Sequence, residues 1–206
     1  MKVKLENPNF TQDYLRNLLA ARGVENFEEF LCPPSKYLEP PSNLEFVDKG
    51  VELLQSTILE NKPILLVVDC DCDGFTSSAI IYQYIKKHSP DIEIEYVLHE
   101  GKQHGLEDMI DKIIAKEKTY GLVILPDSSS NDYEYHERLG ELGIPCLVLD
   151  HHLADPPFSD NAVIINNQLS PRYNNKALTG AGVAYQFCRR YDEVCGTNFL
   201  IWQQLV

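Results

Sequence analysis

The chain has little positive charge. Its 206 residues carry 18 Lys and Arg against 31 Asp and Glu, a net charge of −13. That balance excludes a broad basic surface for nucleic acid; phosphates would have to be reached through bound cations. No apolar run approaches transmembrane length, and the opening MKVKLENPNF has no signal-peptide core. The expectation is a cytoplasmic protein with no membrane partner. The six cysteines show no C-x-x-C spacing, and four lie in or beside apolar runs. They read as reduced, buried thiols, with Cys70 and Cys72 filling the core. Repeats and low-complexity tracts are absent. What remains is ordinary for a globular protein, 44% hydrophobic and 24% charged. The length suits one substantial domain with a small appendage.

Two regions differ in pattern. Residues 1–61 read as a helical lead-in: a helix capped at Thr11, a second over Phe27–Leu31, a proline linker at Glu39-Pro40-Pro41-Ser42, and a helix over about 44–60. Residues 62–206 alternate. Strands are predicted at 64–69, 92–98, 121–126 and 145–149, and helices at about 75–88, 106–118, 132–142 and 178–192. Short apolar strands between amphipathic helices indicate an α/β domain with a parallel sheet. Ligands bind such sheets beyond the carboxyl ends of the strands.

Polar residues gather at those ends. Ile64-Leu65-Leu66-Val67-Val68 runs into Asp69-Cys70-Asp71-Cys72-Asp73-Gly74. Carboxylates this close repel one another, and divalent cations between them would keep them ionised. Three readings compete. An EF-hand loop fits Asp69, Asp71, Asp73 and Gly74, but its twelfth position is Ile80, where a bidentate Glu belongs. A phosphatase of haloacid-dehalogenase type fits Asp71-Cys72-Asp73-Gly74, with Phe75 where Thr is expected. A two-metal phosphoesterase uses the aspartates as ligands. A plain turn explains Gly74 and not the three aspartates. The third strand is followed by Asp127 and the fourth by Asp150-His151-His152. Carboxylates with one or two imidazoles suit Mn²⁺ or Mg²⁺. Two ions there could hold a phosphate and lower the pKa of a bridging water. Asp132 reads as a helix cap, and Ser128–Ser130 as loop hydroxyls bonded to backbone. His88, His99, His104 and His136 read as surface or locally bonded.

Asp-x-Asp-x-Asp-Gly-x-Thr-Ser after a strand, a strand-end Asp127 and Pro145-x-x-x-Leu149-Asp150-His151-His152 together resemble the DHH phosphoesterase superfamily. The RecJ-type single-strand-specific exonucleases are the branch most resembled. Ala21-Arg22-Gly23-Val24 with Phe27–Leu31, Asn166-Asn167-Gln168 with Arg172-Tyr173, and Leu178–Tyr185 resemble that branch too. The resemblance implies a parallel-sheet DHH domain with helices on both faces. It makes Asp71, Asp73, Asp127 and His151 ligands of two Mn²⁺ or Mg²⁺ ions, with Asp127 a bridge and Asp69 a ligand or outer partner. Asp150 would orient His151, and His152 would contact the scissile phosphate. Arg172 and the Gly180–Gly182 turn would meet substrate.

The implied activity is hydrolysis of single-stranded DNA from the 5′ end, with a single-strand-binding protein or helicase as partner. The alternatives are a phosphodiesterase of oligonucleotides or cyclic dinucleotides, or a non-catalytic scaffold in replication or repair. Two departures stand out. Val67 occupies a position where many relatives carry a metal-binding His. The chain also ends on Phe199–Val206, before the family's last Asp ligand and clamp domain, so a domain cut short and inactive alone is expected.

Overall fold

The computed structural model describes residues 12–99, 105–107, 109–116 and 118–199. The predicted Thr11 cap, His104 and residues 200–206 of the terminal helix lie outside them. The chain divides into two compact units, Met1–Glu39 and Pro40–Val206. The first contains α1 (Gln12–Ala21), α2 (Phe27–Leu31) and a 3-10 turn at Ser35–Tyr37. Asn26 caps α2 by accepting from Glu29 N at 3.0 Å. Glu29 also accepts from Lys36 Nζ and Tyr37 OH, both at 2.7 Å, which ties the turn to the helix.

The second unit runs α3 (Val47–Leu59), β1 (Ile64–Val68), α4 (Cys72–His88), β2 (Ile94–Leu98), α5 (Ile110–Ile114), β3 (Leu122–Pro126), α6 (Tyr133–Glu141), β4 (Cys146–Asp150), β5 (Ala162–Asn166) and α7 (Gly180–Cys195). The boundary falls at the proline linker and not after residue 61. Val47, Val51 and Leu54 of α3 lie in the same core as the sheet and cannot belong to a separate lead-in.

All strand pairs are parallel, in the order β2-β1-β3-β4-β5. Side chains alternate across the sheet. Ile64, Leu66, Ile124, Leu147 and Leu149 pack with α3, α4 and α7, through Leu54, Ile81, Ile85, Val183 and Phe187. Leu65, Val67, Val123, Leu125 and Val148 pack on the other face with α5 and α6, through Ile110, Ile113 and Leu139. Helices therefore cover both faces. Every residue of β1, β3 and β4 is buried, which is why they read as unbroken apolar runs. Each such Leu, Ile or Val contributes about 1.5–3 kcal/mol of transfer free energy.

The chain leaves β1 toward β2 on one side and returns to β3 on the other. The switch point, where a crevice opens at the strand ends, thus lies between β1 and β3. No helix among the described residues is long and apolar enough to cross a membrane. Sequence reading missed β5 and placed the start of α4 three residues late. α4 begins at Cys72 because Asp71 caps it, accepting from Gly74 N at 2.9 Å. That early start ends the extended run, so Cys72 is exposed and Cys70 half-buried, not core filling.

Candidate metal centre

Three strand ends converge at the switch point. From β1 come Asp69, 1% exposed, and Asp71, exposed at the α4 cap. A Cβ on Gly74 would lie 2.5 Å from Asp69 Cβ, so glycine is what lets the helix start against that carboxylate. From β3 comes Asp127, 1% exposed, with φ +65. From β4 come Asp150, His151 and His152. Ligand atoms of Asp69, Asp71 and Asp127 lie within 4.8 Å of one another, and so do those of Asp127, His151 and His152. Asp127 is common to both groups.

Asp73 is used differently from the expectation. Its carboxylate accepts from Gly180 N at 2.8 Å and Ala181 N at 2.9 Å, the first turn of α7. An anion at a helix N-terminus is favoured by the orphan N–H groups and the dipole. The terminus expected to meet phosphate is therefore occupied by the protein's own carboxylate, with Asp73 Oδ2 3.6 Å from His151 Nε2. Thr179 caps the same helix by accepting from Gly182 N at 3.2 Å. A Cβ on Gly180 would lie 2.2 Å from Asp127 Oδ1, so only glycine allows α7 to close over that carboxylate. Gly182 packs against Leu178. Arg172 is exposed and donates to Ser42 O at 3.4 Å; it belongs to neither ligand group.

Asp150 also corrects an expectation. Its Oδ1 accepts from the ring Nδ1 of His152 at 2.7 Å, while His151 supplies only its backbone N–H, at 2.7 Å. Asp150 orients His152, not His151. Its Oδ2 takes Ser130 N at 3.1 Å. Burial opposes ionisation of Asp150, but the hydrogen bonds from His152 and Ser130 outweigh it and hold the carboxyl at about 2. The same bond raises His152 to about 9. His151 Nε2 instead points at Asp127 Oδ1, 3.2 Å away. That contact is not aligned as a hydrogen bond, and Asp127 Oδ1 stays buried without one. Burial first, then the charges of Asp73 and Asp71, push Asp127 up to about 8.

A layer beneath escaped sequence reading as a source of support. Asn166, at the end of β5, donates to Ser130 Oγ at 3.0 Å and His152 O at 2.9 Å. Gln168 Nε2 donates to His151 O at 3.2 Å. The signal was Asn166 closing a short β-branched run. Three further expectations change. Asp132 sits at the α6 cap position but accepts instead from Leu106 N at 2.7 Å. Ser128 and Ser129 hydroxyls are buried and unpartnered. His136 is buried with neither ring nitrogen hydrogen-bonded, whereas His88 contacts Tyr84 OH at 3.1 Å as a local partner.

The donor set is oxygen-rich with two imidazoles, the chemistry of a hard divalent cation. The orphaned Asp127 Oδ1 supplies the fit on structural grounds: a buried acceptor crowded by carboxylates, which His152 offsets only in part, has no hydrogen-bond donor.

Fold and site define a parallel α/β domain with a carboxylate–imidazole cluster at its topological switch point. The model of the DHH family, N-terminal domain, matches residues 63–202, and the chain belongs to that family. It is 39% identical to the putative SPbeta prophage-derived single-strand DNA-specific exonuclease YorK of Bacillus subtilis (strain 168), over 96% of this chain and 34% of the relative. It is 31% identical to the single-stranded-DNA-specific exonuclease RecJ of Escherichia coli (strain K12), over 83% of this chain and 30% of the relative. The solved structure of RecJ from Thermus thermophilus in complex with Mn²⁺ shares the fold at TM-score 0.68 and 22% identity, over 87% of this chain and 25% of that one. The chain thus spans about a third of the length of these curated relatives.

Proposed function

We propose that this cluster holds two divalent cations, Mn²⁺ or Mg²⁺, and forms the hydrolytic centre of a single-strand-specific DNA exonuclease working from the 5′ end. The observation that carries the reading is Asp127: buried, shared by both ligand groups, and with Oδ1 lacking a hydrogen bond. The chain's similarity to single-strand-specific DNA exonucleases supports the substrate, and RecJ structures solved in complex with Mn²⁺ and with Mg²⁺ support the metals. Asp69 and Asp71 would hold one cation, His151 the other, and Asp127 both. Asp73 braces α7 against the cluster and adds an oxygen near His151. Two cations would lower the pKa of an attacking water and offset charge on the phosphate. Asp150 engages His152 Nδ1, which leaves Nε2 to face a phosphate oxygen. In this reading Arg172 and Gly182 line the path of the strand. A net charge of −13 leaves recruitment to a cytoplasmic partner, such as a single-strand-binding protein or helicase.

Mn²⁺ titration followed by digestion of 5′- and 3′-labelled single strands tests the proposal. Expected are Mn²⁺ binding that Asp71→Ala weakens and early release of the 5′ label. Unchanged binding in Asp71→Ala contradicts the ligand assignment. Cleavage of dinucleotides or cyclic dinucleotides alone favours the small-substrate alternative. Metal binding without cleavage by residues 1–206, with cleavage by a longer form, keeps the hydrolytic reading; metal binding without cleavage by either leaves a scaffold.

A further inference from the structure

The two edge strands of the sheet differ in cover. The side chains of β5 are buried or half-buried, and α3 lies so close over Ile165 that a Cβ on Gly50 would come within 2.6 Å of its Cδ1. At the other edge, among the described residues, β2 has β1 as its one strand partner. Ile64 N donates to Glu93 O at 2.9 Å, and in that register alternate residues of β2 bond to β1. The N–H and C=O groups of Ile94, Tyr96 and Leu98 therefore point to the open edge. Their side chains sit opposite Ile64, Leu66 and Val68, on the face that carries α4. Ile94 is half-buried, whereas Tyr96 and Leu98 are 61% and 47% exposed. A bare edge with exposed apolar side chains is a template for another strand, and β2 carries no Lys, Pro or bulge to prevent the pairing.

Charge and pattern narrow what fits there. The protein carries −13 overall, yet the carboxylates at this edge are neutralised locally. Lys118 Nζ lies 2.7 Å from Glu93 and is paired with Glu95 as well, and Lys116 Nζ lies 3.0 Å from Glu95. Two copies can meet along β2 with little of the like-charge repulsion that the net charge imposes elsewhere. The pattern also reads the same in both directions. Turned antiparallel about a two-fold axis at Tyr96, Tyr96 faces its own counterpart and Ile94 faces Leu98. Each such pair exchanges backbone hydrogen bonds and sets apolar side chains together on one face. An antiparallel strand at the edge of an otherwise parallel sheet is an ordinary arrangement. We propose that β2 is a self-pairing edge: two copies of this chain join antiparallel along Ile94–Leu98, and the five-stranded sheet continues from one protomer into the next.

Sedimentation velocity over a dilution series tests this, with Tyr96→Lys and Tyr96→Glu as variants. A short edge makes a small interface, so a dimer with a dissociation constant of about 10–100 µM is expected. Either variant removes the tyrosine pair and sets like charges face to face at the two-fold axis, which should weaken the dimer by roughly tenfold or more. An equimolar mixture of the two variants sets Lys against Glu and should restore it, which also shows that both are folded. In the unaltered chain, amide exchange at Ile94, Tyr96 and Leu98 should slow as concentration rises. A chain that stays monomeric up to about 1 mM overturns the proposal. So does a dimer that both variants keep, a dimer that leaves exchange at these amides unchanged, or a mixture that stays monomeric. Slow exchange at the same amides in a monomer overturns it too, because another segment of the same chain would then occupy the edge.

Discussion

The ends of β3 and β4 each bury one aspartate to the same 1% exposure, and the two are treated in opposite ways. Asp150 accepts from two backbone N–H groups after it, from Ser130 N and from the His152 ring, and sits at about 2. Asp127 faces carboxylates, leaves Oδ1 without a hydrogen bond and sits at about 8. Burial is common to both, so it does not separate them; the protein's own donors do. A buried carboxylate satisfied from within serves to position its neighbours. One left unsatisfied among like charges is stable as an anion only beside something the chain does not itself supply.

The largest expected effect breaks that contrast at Asp127. Asp127→Asn should cost Mn²⁺ affinity more than the about 10–100-fold typical of an outer partner, measured by titration. Without metal the sign reverses. A carboxyl raised in the folded state makes folded protein hold more protons than unfolded between about 4 and about 8, so stability falls as pH rises through that window. Metal-free Asp127→Asn should lose this decline, and at about pH 9, above the raised value, be the more stable protein by chemical denaturation. An identical decline in the variant would place the titration elsewhere. By the same linkage, Mn²⁺ binding below about pH 8 should release protons, visible as a dependence of binding heat on buffer.

Gly180→Ala comes next. A Cβ placed 2.2 Å from Asp127 Oδ1 must shift either the carboxylate or α7. Either shift should weaken Mn²⁺ by about 10–100-fold, the range for disturbed ligand orientation, with smaller losses in thermal stability. Asp150→Asn sharpens the other half. It keeps the shape, weakens acceptance from His152 and Ser130, and leaves His152 without its anion. Its Mn²⁺ affinity should fall less than in Asp127→Asn, and its stability should drop by about 1–3 kcal/mol for the disturbed buried donors. The His152 ring, followed by NMR, should titrate below its present value of about 9. A metal loss equal to that of Asp127→Asn would erase the distinction between positioner and ligand.

How far all this was legible in the sequence follows the same line between local and non-local causes. β1, β3 and β4 could be read because both their faces are buried, which writes itself as an unbroken apolar run. β5 was missed because Ala162 and Val163 are only half-buried and no predicted helix precedes it. The meeting of Asp69, Asp71, Asp127 and His151 followed from counting strand ends in a parallel sheet. Which imidazole Asp150 holds did not, since adjacent histidines look alike until the backbone turns one ring back. Nor did the use of Asp73 as a cap for α7, a contact made across most of the domain. Cys72 went wrong for a local reason: Asp71 is a good cap, and weighting that would have started the helix there.

The smallest effect tests whether an orphaned buried group outside the cluster behaves as Asp127 does. His136 is 0% exposed on α6, with neither ring nitrogen hydrogen-bonded. Burial lowers it to about 4. Unlike Asp127 it can rest neutral, and nothing around it calls for a ligand. Its folded pKa lies below the unfolded value of about 6.5, so the unfolded chain takes up the proton first. The stability tied to the neutral ring is complete above about 6.5 and is lost as pH falls toward about 4, by up to about 3 kcal/mol. His136→Leu should flatten that acid limb, keep Mn²⁺ affinity, and match or exceed the unaltered chain in stability at about pH 5, inside that window. An acid limb unchanged in the variant would mean that this ring is not held neutral, and that orphaned nitrogens in this fold say less about charge than the Asp127 oxygen does.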